Sequence, residues 1–215
     1  MKDSNRERKN DIKYNVTLNE EQKLAKQLII DNQIVIVTGR AGSGKSLICA
    51  QTALDFLMKK QCDNIYVTRA TIEVGGSLGF LPGDLEEKFN PYLEAFKENL
   101  EKCYDKVKIE DFIKNKKISA YPVQFIRGKT IDDILVVEEA QNLTKGEMLA
   151  ILTRLGKTGK IIINGDNEQR DIKESFTGLS YAIELSKKIE GIEWIKLKAN
   201  HRSDLVGKIL DNEYN

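Results

Sequence analysis

Apolar positions along the chain alternate between short runs of β-branched and aliphatic residues and longer stretches at helical spacing. The strand-like segments are Ile34–Thr38, Ile65–Thr68, Ile131–Val137, Lys160–Asn164 and Ile192–Leu197. Helical patterns occupy 45–60, 84–104, 144–155, 177–190 and 203–213, and another helix follows Thr17, where Leu18, Leu24, Leu28 and Ile29 are apolar. Thr17-x-x-Glu20 has the form of a capping box for that helix. Strands alternating with helices imply βαβ units, hence an α/β fold: a mostly parallel sheet with helices on both faces. The charged helical stretch 85–117 breaks the rhythm and ends in Lys114-Asn115-Lys116-Lys117, which predicts a helical insertion projecting from the sheet. Residues 1–14 mix both charges and predict a flexible leader before a single domain over 15–215.

The turn after the first strand carries the most specific chemistry. Gly39-Arg40-Ala41-Gly42-Ser43-Gly44-Lys45-Ser46 satisfies G-x-x-x-x-G-K-[ST] directly after Ile34-Val35-Ile36-Val37 and opens the next helix. That is the setting of a phosphate-cradling loop. Its glycines let backbone N–H groups close around phosphate oxygens at a helix N-terminus. Lys45 is expected to reach the β- and γ-phosphates as a mobile point charge, and the Ser46 hydroxyl to ligate Mg²⁺. Alone, the loop specifies a nucleotide phosphate and nothing finer.

Further polar residues follow other strands. Ile131–Val137 runs into Glu138-Glu139-Ala140-Gln141. Opposite a phosphate loop, two acids after an apolar strand suit metal-assisted phosphoryl transfer. Glu138 is the candidate for the Mg²⁺ shell, and Glu139 for the base that orients and deprotonates water. The bland alternative is an exposed acidic turn capping the helix after Thr144. Gly165-Asp166-Asn167-Glu168-Gln169 leaves the strand ending at Asn164. In a parallel sheet it shares the loop's edge, so Gln169 is a candidate contact to the γ-phosphate or the attacking water. A solvated polar turn is the alternative there. Arg202, in Asn200-His201-Arg202-Ser203, is a candidate to stabilise charge on the transferring phosphoryl group. Gln22 carries a donor and an acceptor on one amide, which suits an adenine edge. No Asn-Lys-x-Asp guanine-reading motif occurs, so ATP is favoured over GTP.

Composition adds exclusions. With 34 basic and 33 acidic residues in 215, no global field argues for nucleic acid, and a local patch stays open. Cys49, Cys62 and Cys103 are odd in number and widely spaced, which offers neither a disulfide framework nor a zinc pattern. His201 is the only histidine. No apolar run approaches about 18 residues and the N-terminus is polar, so neither a membrane span nor a secretory signal is expected, and the location is read as cytoplasmic.

Thr68–Leu85, which contains Leu78-Gly79-Phe80-Leu81-Pro82-Gly83-Asp84, resembles the signature segment of PhoH-like ATPases, as does Glu87–Leu93 after it. Phe125-Ile126-Arg127-Gly128-Lys129-Thr130 before the acidic strand and Ala140-Gln141-Asn142 after it are similar to further family motifs. The resemblance covers about residues 17–210 and implies a RecA-like P-loop ATPase related to the motor core of superfamily 1 helicases. It implies that the strand before Gly165–Gln169 lies between the P-loop strand and the acidic strand. Functional residues carried over are Gly39, Gly42, Gly44, Lys45, Ser46, Glu138, Glu139 and Gln169.

This chain departs from the family pattern at three places. Glu138 replaces the usual Asp, Arg69-Ala70 replaces Arg-Pro, and Asn200–Ser203 looks closer to a helicase motif ending in Arg-Ser. Longer family members add a PIN nuclease or RNA-binding module, neither of which is expected in this sequence. The expected function is ATP hydrolysis coupled to RNA or single-stranded DNA, by a homo-oligomer such as a ring. The 85–117 stretch, or Arg127 and Lys129, would touch phosphates. A nucleotide-dependent assembly or regulatory module is the alternative. A P-loop kinase is poorly supported, because no lid arginine cluster is found.

Overall fold

The three central strands are apolar at nearly every position because helices cover both their faces. The computed structural model describes residues 12–70, 85–172 and 175–199, of which 85–90 by backbone alone. The strands are β1 (Ile34–Gly39), β2 (Ile65–Arg69), β3 (Ile118–Ala120), β4 (Ile134–Glu138), β5 (Lys160–Gly165) and β6 (Ile192–Leu197). They form one sheet in the order β3-β2-β4-β5-β1-β6, with every pairing parallel. Every residue of β1, β4 and β5 is buried, whereas β6 at the edge buries only its two ends. The strand β5 does lie between β1 and β4.

The helices are α1 (Glu20–Asp31), α2 (Lys45–Met58), α3 (Leu85–Cys103), α4 (Lys106–Lys114), α5 (Val123–Ile126), α6 (Lys145–Leu152) and α7 (Gly178–Ser186). Strand side chains alternate between two apolar layers, as a period of two requires. Val35, Val37, Val136 and Ile162 pack with Ile48 and Leu54 of α2. Ile36, Leu135, Val137 and Ile163 pack with Ile151 of α6 and Leu179 of α7. The sheet thus separates an α2 face from an α6–α7 face.

Several sequence expectations are corrected. The 85–117 stretch is helical but does not project. Phe96, Leu100 and Ile109 are fully buried in the α2-side core, a narrow apolar stripe hidden among charges. Lys97 faces Glu94, Glu101 and Glu110 outside it. The stretch leads into β3, three residues too short and too polar to read as a strand. The acidic strand starts at Ile134, with Ile131 forming only an isolated bridge to Leu155. The cap of α1 is Asn19, not Thr17: the Asn19 side chain accepts from Gln22 N (2.8 Å), and Gln22 Oε1 accepts from Asn19 N (3.1 Å). Tyr14, assigned to the leader, belongs to the folded domain, since its hydroxyl donates to Asp55 Oδ1 at 2.5 Å. The helix expected at 203–213, and residues 71–84 of the signature segment, lie outside the described residues.

Candidate active site

The register aligns the carboxyl ends of the central strands. Arg69 pairs with Glu138 across β2 and β4, and Thr38 with Gly165 across β1 and β5. Two turns leave this common edge from β1 and β5, and the acid pair closes β4.

The loop after β1 needs its glycines for different reasons. At Gly39 (φ +152°) a Cβ would lie 2.6 Å from Leu197 O and 2.7 Å from Ser43 Oγ. Gly42 and Gly44 have φ of +85° and +88°, in the left-handed region that side chains disfavour. Gly44 is the N-cap of α2 and supplies no side-chain cap, so the first-turn N–H groups of a 14-residue helix are left for an anion. Lys45 Nζ donates to Gly39 O (2.5 Å) and Arg40 O (3.1 Å), which holds its charge over the loop. Arg40 Nε pairs with Glu168 Oε2 at 3.0 Å and links the loop to the turn after β5. Ala41 and Ser43 complete the loop between these contacts. Gln22, the residue expected to read adenine, is 4% exposed. Its Nε2 donates to Ser43 O (3.3 Å) while Oε1 caps α1, so the amide braces the loop from beneath, and pairing with a base would require releasing those bonds.

At the end of β4, Glu138 is buried and accepts from Asn164 Nδ2 at 3.2 Å. Burial pushes its carboxyl above the usual range; Asn164, the Arg69 guanidinium and the Ser46 hydroxyl partly oppose this, and Glu139 adds to it. Ser46 and Glu138, the two predicted metal ligands, therefore lie on the same side of the site, close enough for the hydroxyl to favour the ionised carboxyl. Among the described residues no three or more His, Cys, Asp or Glu are grouped so that they could hold a metal ion on their own. A hydroxyl and one carboxylate, as Ser46 and Glu138 offer, are a donor set of the kind Mg²⁺ takes together with substrate phosphates and waters.

Glu139 adopts φ +50°, ψ +45°, a left-handed conformation uncommon for a residue with a side chain. It opens a 3₁₀ turn over Ala140–Asn142. Gln141 fixes it there. The Gln141 amide nitrogen donates to Glu139 Oε2 (2.6 Å) and to Gln169 O (3.0 Å), and its Oε1 accepts from Asp166 N (3.0 Å). A backbone N–H can only donate, so the amide has one orientation. Gly165 makes room for it: a Cβ there would lie 2.7 Å from Gln141 Oε1. A second clamp holds the same two segments, with Asn142 Nδ2 donating to Asp171 Oδ2 (3.1 Å) and Asp171 N donating to Asn142 Oδ1 (2.8 Å). Asp166 is buried, which raises its carboxyl's pKa, and the backbone N–H of Glu168 and the charge of Lys45 oppose the rise.

The fold thus brings Lys45, Ser46, Glu138, Glu139 and the Gln169 turn to the ends of adjacent strands. Arg202 lies outside the described residues. Sequence reasoning missed Gln141, Asn164 and Asp166 as site residues. Gln141 stood inside a quoted family motif, but the two partners that fix it, Asp166 and Gln169, lie 25 and 28 residues away in the turn after β5.

An all-parallel sheet with a glycine loop from strand to helix, and an acid pair two strands away, defines a P-loop NTPase of RecA-like fold. Solved structures agree on that fold. The large terminase of a thermophilic bacteriophage aligns over 93% of this chain and 51% of its own, with a TM-score of 0.58 at 8% identity. The UvsW helicase of bacteriophage T4 aligns over 83% and 59%, with a TM-score of 0.52 at 12% identity. The profile of the PhoH-like protein family matches residues 16–213, and the chain belongs to that family. The PhoH-like protein of Bacillus subtilis is 39% identical over 184 residues, covering 84% of this chain and 58% of that protein. Protein PhoH of Escherichia coli is 36% identical over 170 residues, covering 77% and 48%. The chain therefore spans about half the length of these relatives. No helix among the described residues is long and apolar enough to cross a membrane.

Proposed function

We propose that the chain is an Mg²⁺-dependent ATPase, coupled to RNA or single-stranded DNA and acting as a homo-oligomer in the cytoplasm. One observation carries the reading: Lys45, the Ser46–Glu138 pair and the braced carboxylate of Glu139 meet at the ends of β1 and β4, with the Gln169 turn between them.

Each group has a separable task. The first-turn N–H groups of α2 receive the triphosphate, and Lys45 exchanges the carbonyls of Gly39 and Arg40 for β- and γ-phosphate oxygens. Ser46 and Glu138 would hold Mg²⁺, which neutralises charge on the phosphates when bound. Glu139 takes a proton from the attacking water as the new oxygen–phosphorus bond forms and the bond to the ADP oxygen breaks. Gln169 orients the water or the γ-phosphate, and Arg202 is assigned to the charge that develops there. The same phage terminase, also solved with ADP, supports a nucleotide on this fold, with a TM-score of 0.55 at 11% identity.

Strand coupling draws support from the helicase name of the UvsW neighbour. The described residues build one sheet, so walking along a strand calls for a second lobe, which another copy can supply. The free thiols fit a reducing compartment.

Two substitutions test the hydrolysis reading. Lys45→Ala should abolish tight ATP binding. Glu139→Gln should leave ATP affinity within about twofold and slow turnover about 100-fold or more, the usual worth of a general base. Turnover that single-stranded RNA or DNA fails to stimulate would favour the assembly module instead.

A further inference from the structure

On the α6–α7 face of the sheet, opposite α2, lies an open cavity of about 400 Å³ lined by Arg127, Gly146, Ala150, Thr153 and Arg154. Two guanidinium groups share this space, and among the described residues neither takes part in an ion pair. Arg154 Nη1 donates to Arg127 O at 3.0 Å, but among the described residues Arg154 Nε is buried without a hydrogen-bond partner. A buried orphan donor is costly until an acceptor arrives, and the exposed Arg127 adds a second positive charge beside it. Phe125 and Leu149, on the flanking helices, are 46% and 45% exposed. Lys129, the other cation expected to touch phosphates, is committed elsewhere: it stands 3.9 Å from the Tyr121 ring centroid and 5.1 Å from that of Tyr66.

We propose that this cavity binds a phosphodiester of single-stranded nucleic acid, held by Arg127 and Arg154, with the Phe125 ring offered to an adjacent base. Planar guanidinium groups match phosphate oxygens two at a time. Phe125 is two residues before Arg127 in the chain, and cations combined with exposed rings grip a strand's backbone and stack its bases. The volume is near the small end of ligand pockets, about 300–1,000 Å³, which suits one nucleotide unit rather than a docked protein helix. The site also has a short path to the chemistry. The first residue of α6, Lys145, follows the turn that carries Gln141 and Asn142 by three residues, so a strand seated on α6 loads the segment that orients Glu139. The inference rests on the strand-coupled reading above and gives the strand a place.

The test is the affinity of short fluorescein-labelled RNA and DNA single strands, measured by anisotropy without nucleotide over a salt series. Arg127→Gln removes a cation whose side chain makes no hydrogen bond among the described residues. Gly146→Glu adds a carboxylate where a Cβ meets nothing within 4 Å, and at the start of a helix, where an acid is favourable. Both variants should bind about 10-fold or more weakly, and Arg127→Gln should reduce the salt slope by about 1, with Tm and basal ATP turnover unchanged. Unchanged affinity and slope in both variants would overturn the proposal. So would wild-type protein that binds neither strand, or that binds an acidic peptide in preference. Because binding is read without ATP, a failure of the Lys45 and Glu139 assignments leaves this result standing, and the reverse also holds.

Discussion

The phosphate loop and the acid turn meet the same substrate but are built in opposite ways. Most of what shapes the loop lies within eight consecutive residues, Gly39–Ser46, with Gln22 beneath it, Leu197 beside it and Glu168 paired to Arg40 from the turn after β5. The acid turn is assembled from two strands. Glu139 is held in an uncommon backbone conformation by Gln141, and Gln141 is held by Asp166 and Gln169 on the far side of Gly165. Binding is thus encoded locally, and the geometry for hydrolysis is encoded by contact between segments. The two should fail separately when mutated.

The largest effect is expected in the loop. Gly39→Ala puts a methyl group 2.6 Å from a backbone carbonyl at φ +152°, where neither partner can yield cheaply. It should cost about 3 kcal/mol of stability, lower Tm by on the order of 10 °C, and remove ATP binding along with turnover. A Gly39→Ala protein that melts and binds ATP like the wild type would show that the loop tolerates what its geometry forbids.

Next comes the brace. Gln141→Glu keeps the shape and the acceptor for Asp166 N, but loses both donors and sets a second carboxylate against Glu139. A misplaced base costs about 100-fold in kcat, while ATP affinity should stay within about twofold. Rates and affinities that fall in step would mean that Gln141 merely supports the fold.

The smallest effect is on stability and has the opposite sign. Burial raises the pKa of Glu138, so its ionised form is a burden on the metal-free fold at neutral pH. That burden exists above the raised folded-state pKa and is lifted as pH falls through it. Glu138→Gln should therefore raise the neutral-pH Tm in chelator by a few degrees, about 2–4 °C per kcal/mol gained, while ending Mg²⁺-dependent hydrolysis. The advantage over wild type should shrink on acidification. A lower Tm for Glu138→Gln at neutral pH would contradict this reading of the site.

The same division explains what could be read from the sequence. The loop, the parallel α/β class and the acid pair at a strand end were legible because each is a pattern in consecutive residues. β3 was not, since three residues of mixed polarity acquire strand geometry only by pairing with β2. The stripe of Phe96, Leu100 and Ile109 was masked by the charges around it, which made a packed pair of helices read as a projection. Thr17 looked like the cap of α1 because the spacing to Glu20 is right, yet Asn19 and Gln22 form the same reciprocal box two residues later, where the helix begins. Gln141 was invisible as a brace because nothing near it in sequence names Asp166 or Gln169 as its partners. Gln22 was read for the donor and acceptor its amide offers an adenine edge, and tertiary packing engages both of them, with Ser43 O and the α1 cap.

The most direct test of the central claim, that Lys45 serves binding and Glu139 serves chemistry, is ATP affinity by calorimetry alongside single-turnover hydrolysis for Glu139→Gln. Affinity within about twofold of wild type with turnover down about 100-fold is the expected result. Hydrolysis at the wild-type rate, with ATP bound as before, would remove Glu139 as the base and with it the separation between the two halves of the site.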